Sequence, residues 1–241
     1  MTAGFPLAAI DWHGAVRIIR SLYPPVDLFE DVADPADWPL LLAAEQKTNP
    51  RLLEAVGRLD RVPAARRVSG PGASYLRAPF THATPDRPSR FSDGSFGVLY
   101  VGQNFTVALF ETIHHHARFM ARTAEPPGWT SQFRELLLDV VATLADLRGP
   151  QGTRSGAQSS ILDPDDYTAG QALAAQLRTA GADGVVYPSV RYRGGECVGL
   201  FYPDGAANPL QARHLDYHWN GSRVDYYRDA GSRQVFAIAT P

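Results

Sequence analysis

The chain has a single cysteine, Cys197, so it can form no intramolecular disulfide and cannot supply the paired thiolates of a structural zinc site. A reducing compartment suits such a sequence. Long apolar runs are missing too. No stretch approaches the roughly 18 unbroken apolar residues of a membrane-spanning helix, so no membrane partner is expected. The N-terminus, Met-Thr-Ala-Gly-Phe-Pro-Leu-Ala-Ala-Ile-Asp, has no basic segment, and Asp11 ends its apolar run short of a secretory signal; a cytoplasmic location is expected. Neither sign of charge is in surplus. Against 25 Asp and Glu stand 23 Lys and Arg, a formal net charge of −2, and the basic residues do not cluster. Nucleic-acid binding by bulk charge is thereby excluded, and no direct nucleic-acid partner is expected. Nor does a Gly-x-Gly-x-x-Gly or P-loop pattern open a helix, so any nucleotide is held in some manner other than the Rossmann one.

A hydrophobic content of 44% speaks for a folded chain rather than a disordered one. At 241 residues, folding removes roughly 70–75% of the accessible surface, enough for one large core. The 21 glycines and 19 prolines make up about 17% of the residues against a usual total near 12%. Many turns and short elements follow, and an all-helical architecture is disfavoured.

Residues from Asp11 to about Leu59 read as short helices. Asp34-Pro35 and Asn49-Pro50 each place a cap-type residue before a proline suited to a first helical position, and Leu40–Leu42 or Leu52, Leu53 and Val56 follow them. From Val68 the texture changes to short β-type runs broken by Gly, Pro, Ser and Asp. The division predicted is a helical N-terminal extension over 1–66 and one compact unit over 67–241. Ser74 to Ala78 reads as a possible strand, Thr84 to Gly97 as a loop, and Gly97 to Gly102 as a strand. Asn104 is a good N-cap for an amphipathic helix over 105–120, since Phe105, Leu109, Ile113, Ala117 and Met120 recur at helical spacing. Leu136 to Val141 is β-like. Thr168-x-x-Gln171 has the form of a capping box for a helix that Gly181 ends. Two strands, Gly184 to Val190 and Glu196 to Tyr202, flank the turn signal Arg193-Gly194-Gly195. Strands and helices do not alternate regularly, so the expected class is a compact mixed α+β fold rather than a doubly wound sheet.

The three adjacent imidazoles of His114, His115 and His116 point about 100° apart on a helix and cannot converge on one metal, unlike the i, i+4 spacing of a zinc helix. No metal is expected, and one of these residues is a candidate for a hydrogen-bonding or catalytic role. Glu111 on the same helix lies between its apolar stripe and its polar face. Taken alone it is a surface glutamate paired with Arg118 or a histidine. In order along the chain come Arg77 and Arg90 around a Pro-rich loop, Tyr100 at a strand, Glu111, and Ser189 within Tyr-Pro-Ser-Val-Arg. Arginines suit a bidentate grip on phosphate oxygens, a tyrosine offers a stacking face, and a carboxylate can steady an oxocarbenium ion. Such a set fits a dinucleotide with a breakable glycosidic bond. Singly, each has an ordinary structural alternative: surface arginines, a core tyrosine, a strand-end serine.

The run Arg77…Ser89-Arg90-Phe91…Gly97-Val98-Leu99-Tyr100…Ala108-Leu109-Phe110-Glu111-Thr112…Gly181-Ala182-Asp183-Gly184-Val185-Val186-Tyr187-Pro188-Ser189-Val190-Arg191…Gly194-Gly195-Glu196-Cys197 resembles the RES domain family over roughly residues 67–220. That family is named for an arginine, a glutamate and a serine. The resemblance implies an ADP-ribosyltransferase-like fold and a toxin of a bacterial toxin–antitoxin pair, neutralised by a Xre-type antitoxin. It also implies NAD as substrate, cleaved by water or phosphate, or used to modify a host protein that accepts ADP-ribose. The family arginine falls on Arg77, a second on Arg90, the aromatic on Tyr100, the glutamate on Glu111 and the serine on Ser189. Expected roles are a diphosphate grip for Arg77 and Arg90, stacking on nicotinamide or ribose for Tyr100, a hydrogen bond to the nicotinamide ribose or carboxamide for Ser189, and charge stabilisation for Glu111. A non-catalytic nucleotide-binding module is the remaining alternative. The loop Gly149–Ser160 is extra to the minimal family pattern.

Overall fold

The computed structural model describes residues 4–22, 33–34, 36–45, 47, 56–149 and 160–239. Its elements are β1 (Leu7–Arg20), α1 (Trp38–Glu45), α2 (Ala73–Thr81), β2 (Leu99–Gly102), α3 (Phe105–Met120), β3 (Trp129–Asp146), α4 (Thr168–Thr179), β4 (Gly184–Pro188), β5 (Glu196–Leu200), β6 (Ala206–Trp219), β7 (Val224–Asp229) and β8 (Val235–Ala237). All eight strands belong to one sheet, in the order β1-β2-β5-β4-β3-β6-β7-β8, and β1 also pairs with β3. Strands β1, β2, β5, β4 and β3 therefore close a ring of pairings. The class is α+β, as the irregular order of elements predicts.

Two-residue periodicity sorts the strands of this ring onto two faces. Leu99, Val101, Val186, Val198 and Leu200 point to one side, where they pack with Leu138, Val140 and Leu144 of β3 and with Leu76 and Phe80 of α2. Tyr100, Val185, Tyr187 and Cys197 point to the other, under Leu173, Ala174 and Leu177 of α4 and against Phe91. A third cluster joins Ala108, Leu109 and Ile113 of α3 to Val16, Ile18, Phe133, Leu215 and Tyr217.

Helix α3 matches the sequence reading at both ends, and Asn104 Oδ1 accepts the Val107 N–H at 3.1 Å as a capping side chain should. The hairpin of β4 and β5 pairs Tyr187 with Cys197 and Pro188 with Glu196, and the chain between them, 189–195, holds the expected glycine turn. Gly181 ends α4 as expected: its N–H bonds to Arg178 O and that of Ala182 to Leu177 O, the paired bonds of a Schellman motif.

Three expectations are corrected. Residues 7–20 form a strand, not short helices, and pair with β3 through twelve partners from Leu7↔Ala145 to Arg20↔Phe133. The first strand thus lies inside the common sheet, and the helical residues described in the N-terminal region are those of α1, Val56 and short 3₁₀ turns. A strand bounded by no local turn signal owes its conformation to its partner, and the partner lies over a hundred residues away. Ser74 to Ala78 is helical, and its buried apolar residues Ala73, Leu76 and Phe80 recur at helical spacing. The capping box at Thr168 does not form: Tyr167 precedes the helix without a side-chain cap, and Gln171 Nε2 donates instead to Ser89 O at 2.9 Å. Residues Asn49-Pro50, Leu52 and Leu53, together with 150–159 of the extra loop, lie outside the described residues.

Candidate active site

Several of the residues picked from the sequence gather at the ends of β2, β4 and β5. Helix α3 crosses β2 closely at Gly102, where an added Cβ would stand 2.8 Å from the Ala108 backbone nitrogen. Only a residue without a side chain lets the first turn of α3 lie on the strand. One turn beyond the buried Val107, the half-buried Glu111 then comes down over Ser189 and Cys197.

Ser189 Oγ donates to Glu111 Oε1 at 2.7 Å, and Ser189 Oγ itself accepts the backbone N–H groups of Arg191 (3.2 Å) and Tyr192 (3.0 Å). With both acceptor directions used by the backbone, the hydroxyl proton can point only at the carboxylate. Cys197 Sγ lies 4.0 Å from the same Oε1. Burial first, and then the Glu111 charge, push the Cys197 thiol well above its ordinary range, so it stays protonated beside the carboxylate. Burial also raises Tyr187 well above the usual phenol value, with further contributions from Cys197 and Glu111.

Arg90 enters from the turn that ends the Pro-rich loop. Its segment is clamped from two sides. Tyr100 Oη accepts the Phe91 N–H at 2.8 Å and is 2.9 Å from Ser89 Oγ, while Gln171 holds Ser89 O and α4 presses in at Gly170, where a Cβ would meet Arg90 O at 2.5 Å. Burial, opposed by those two hydrogen bonds, pushes the Tyr100 phenol up to about 12. The Arg90 guanidinium sits 4.7 Å from the Tyr167 ring centroid and donates to Asp163 O at 2.6 Å. Phe91, next to Arg90, meets the Tyr187 ring at 5.0 Å, and Tyr187 pairs with Cys197, whose Sγ lies 4.0 Å from Glu111, so the Arg90 turn and Glu111 adjoin one patch.

Of the five residues picked from the sequence, Arg90, Tyr100, Glu111 and Ser189 meet here. Arg77 does not. It is buried on α2, whose Leu76 and Phe80 pack on the opposite face of the sheet, and its guanidinium lies 4.4 Å from the Trp38 ring centroid. Tyr100 holds the Arg90 turn with its hydroxyl and stacks with Phe91 at 6.4 Å, and Ser189 bonds the carboxylate of Glu111. The histidines diverge. His116 is buried against Phe133 and Tyr217, whereas His114 and His115 face the site side of α3, near Arg191. Burial, with Arg191 second, lowers His114 to about 4, and burial lowers His115 despite Glu111, so both are neutral at neutral pH. Sequence reading passed over Asp163, Tyr167 and Arg191. Arg191 was visible within Tyr-Pro-Ser-Val-Arg, and the other two in the turn chemistry of Asp163-Pro164.

The site is thus a half-buried carboxylate held by Ser189 and a buried guanidinium held by the Asp163 carbonyl, both carried on one α+β sheet. The RES domain model matches residues 64–220, and the chain belongs to the RES domain family. It is 27% identical over 227 residues to the uncharacterized protein y4oC of Sinorhizobium fredii, covering 90% of this chain and 88% of that one. A chain in the crystal structure of the M. tuberculosis MbcT–MbcA toxin–antitoxin complex superimposes with a TM-score of 0.46 and 14% identity, over 87% of each chain.

Proposed function

We propose that this chain is the toxin of a toxin–antitoxin pair and that it breaks the nicotinamide–ribose bond of NAD, by hydrolysis or phosphorolysis. The observation that carries the reading is the Ser189–Glu111 hydrogen bond of 2.7 Å, since it fixes a carboxylate in advance of any substrate. When the bond from C1′ to the pyridinium nitrogen breaks, its electron pair stays with nitrogen and neutral nicotinamide departs. Positive charge then develops on the ribose. A carboxylate already oriented stabilises that charge without reorganising, which is where electrostatic catalysis gains most. An oxygen of water or phosphate bonds to C1′ from the side nicotinamide leaves open, and a proton is released to solvent when the attacker is water.

Arg90 supplies the positive counterpart for the diphosphate, turning remote binding into orientation at C1′. None of these steps calls on a metal. A Xre-type antitoxin is the partner this reading requires, and a C-terminal carboxylate set on Arg90 is a direct way for it to close the site.

The test is incubation of the purified protein with NAD, with and without phosphate, followed by assay of nicotinamide and of ADP-ribose or its phosphorylated form. Glu111→Gln should keep the fold and lower nicotinamide release by about a hundredfold or more. Turnover near that of the unaltered protein would remove Glu111 from the reaction. Label from NAD appearing on a protein band would replace the small acceptor by a protein one, making the chain a mono-ADP-ribosyltransferase.

A further inference from the structure

Buried charges in proteins are ordinarily met by an opposite charge. Even the partly exposed Arg66 and Arg148 each hold a carboxylate at 2.7 Å. Arg90 does not. Only 7% exposed, it has no carboxylate within 4.0 Å among the described residues, and its partners are the Asp163 carbonyl and the face of Tyr167.

Arg191, partly exposed, approaches from the other side. Its Nη2 donates to the carbonyl of Pro164, the residue next to the one that holds Arg90, and it too has no carboxylate within 4.0 Å among the described residues. Consecutive carbonyls thus anchor the two guanidiniums at one turn. The Asp163 carboxylate accepts the N–H groups of Asp165 and Asp166 at 2.8 Å and forms no ion pair within 4.0 Å with either arginine. A carbonyl takes one of a guanidinium's five N–H donors, so both arginines are tethered without being saturated. Around them three buried polar atoms, Arg191 Nε, Tyr167 Oη and His114 Nε2, have no hydrogen-bond partner among the described residues. Polar atoms from three separate elements, beside two guanidiniums that no carboxylate touches within 4.0 Å among the described residues, offer an anion hydrogen-bonding capacity that these residues do not use among themselves.

We propose that Arg191 is the second arginine of a diphosphate clamp with Arg90, and that Tyr167 and His114 complete the hydrogen bonding of the same anion. The proposal rests on the NAD reading and sharpens it, because it moves the second clamp residue from Arg77 on α2 to the turn that follows Ser189. Two planar forks suit the oxygens of a diphosphate, and their position beyond Glu111 matches a substrate whose ribose sits at the carboxylate and whose diphosphate extends away from it.

Arg191→Ala in the full chain is assayed for nicotinamide release, with ADP-ribose and nicotinamide as inhibitors, and is titrated with inorganic pyrophosphate. The KM for NAD and the inhibition constant of ADP-ribose should rise tenfold or more, while kcat and the inhibition constant of nicotinamide stay within threefold. Arg191→Lys should recover part of the loss. Unchanged KM, or equal weakening of ADP-ribose and nicotinamide, overturns the proposal. If the unaltered protein releases no nicotinamide, the NAD reading falls by itself, and the clamp is then judged by pyrophosphate: tenfold weaker binding to Arg191→Ala supports it, whereas equal binding or no binding by the unaltered protein overturns it. Should Arg191→Ala not fold, Tyr167→Phe should weaken pyrophosphate threefold or more, and unchanged binding has the same adverse force.

Discussion

Ser189 and Glu111 stand 78 residues apart in the chain and meet across 2.7 Å, the serine donating its proton to a carboxylate carried by a helix while two backbone N–H groups fix the direction of that proton. The strand end and the helix are thereby locked at the point where the proposed chemistry takes place. Removal of this hydroxyl tests how much of the carboxylate's usefulness lies in its orientation. Ser189→Ala should lower kcat for nicotinamide release about tenfold, on the scale of one lost hydrogen bond to a charged group, with little change in KM. Steady-state kinetics decide it.

Tyr100 is expected to act through the turn it holds. Tyr100→Phe leaves the Phe91 N–H without its 2.8 Å acceptor in a largely buried setting, which costs about 1–3 kcal/mol. The loosened turn carries Arg90, so KM for NAD should rise more than kcat falls. Urea denaturation and steady-state kinetics on the same variant separate the two effects.

The seat of α3 on β2 allows no side chain. In Gly102→Ala the new methyl meets backbone atoms of Ala108, at 2.8 Å from the nitrogen, and backbone cannot swing aside as a flexible side chain does. Helix α3 must lift, taking Glu111 with it. A stability loss of about 1–3 kcal/mol together with a tenfold or greater fall in nicotinamide release is expected, measured by thermal unfolding and by activity at a temperature where the variant is folded.

His116 makes stability depend on pH. Burial, and then the charge of Arg20, lower its value from 6.5 to about 4, so the unfolded chain binds a proton that the folded chain refuses between those limits. Stability contributed by the neutral ring is complete above pH 6.5 and is lost as pH falls toward 4, with a slope of at most about 1.4 kcal/mol per pH step of one. His116→Leu, which keeps an apolar body against Phe133 and Tyr217, should flatten the loss in that window. Denaturation midpoints at pH 7, 6, 5 and 4 give the comparison, and parallel curves for the two proteins would remove His116 as the cause.

Elements whose signals are local were legible in the sequence. Helix α3 announces itself by its own periodicity and by an N-cap that bonds three residues away, and the β4–β5 hairpin by a glycine turn between two short apolar runs. Strand β1 carries no such signal, because its hydrogen bonds go to β3. The misreading of Ser74 to Ala78 has the same origin, as five residues are too few to separate a period of 2 from one of 3.6 before the facing surface is known. In the site, Glu111, Ser189, Tyr100 and Arg90 could be named from residue types in order, but an arginine's type does not say which side of a sheet it will occupy. Arg77 and Arg191 were equally eligible. One lies over Trp38 and the other beside the Ser189 turn.

The amino-acid sequence by itself determined the class of fold, the carrier helix with its cap, the lone cysteine's exclusion from disulfide and zinc chemistry, and the inventory of charged groups, all of which depend on composition or on neighbours within a few positions. Only the tertiary structure decided that β1 closes the ring of strands, that Ser189 spends its hydroxyl on Glu111, and that Arg90 and Arg191 are gathered by two consecutive carbonyls. The reason is physical: each of those outcomes is a contact between segments 73 or more residues apart or a choice between sheet faces, with the single exception of Arg191 and Pro164 at 27, and none is encoded by any residue apart from the partner it meets.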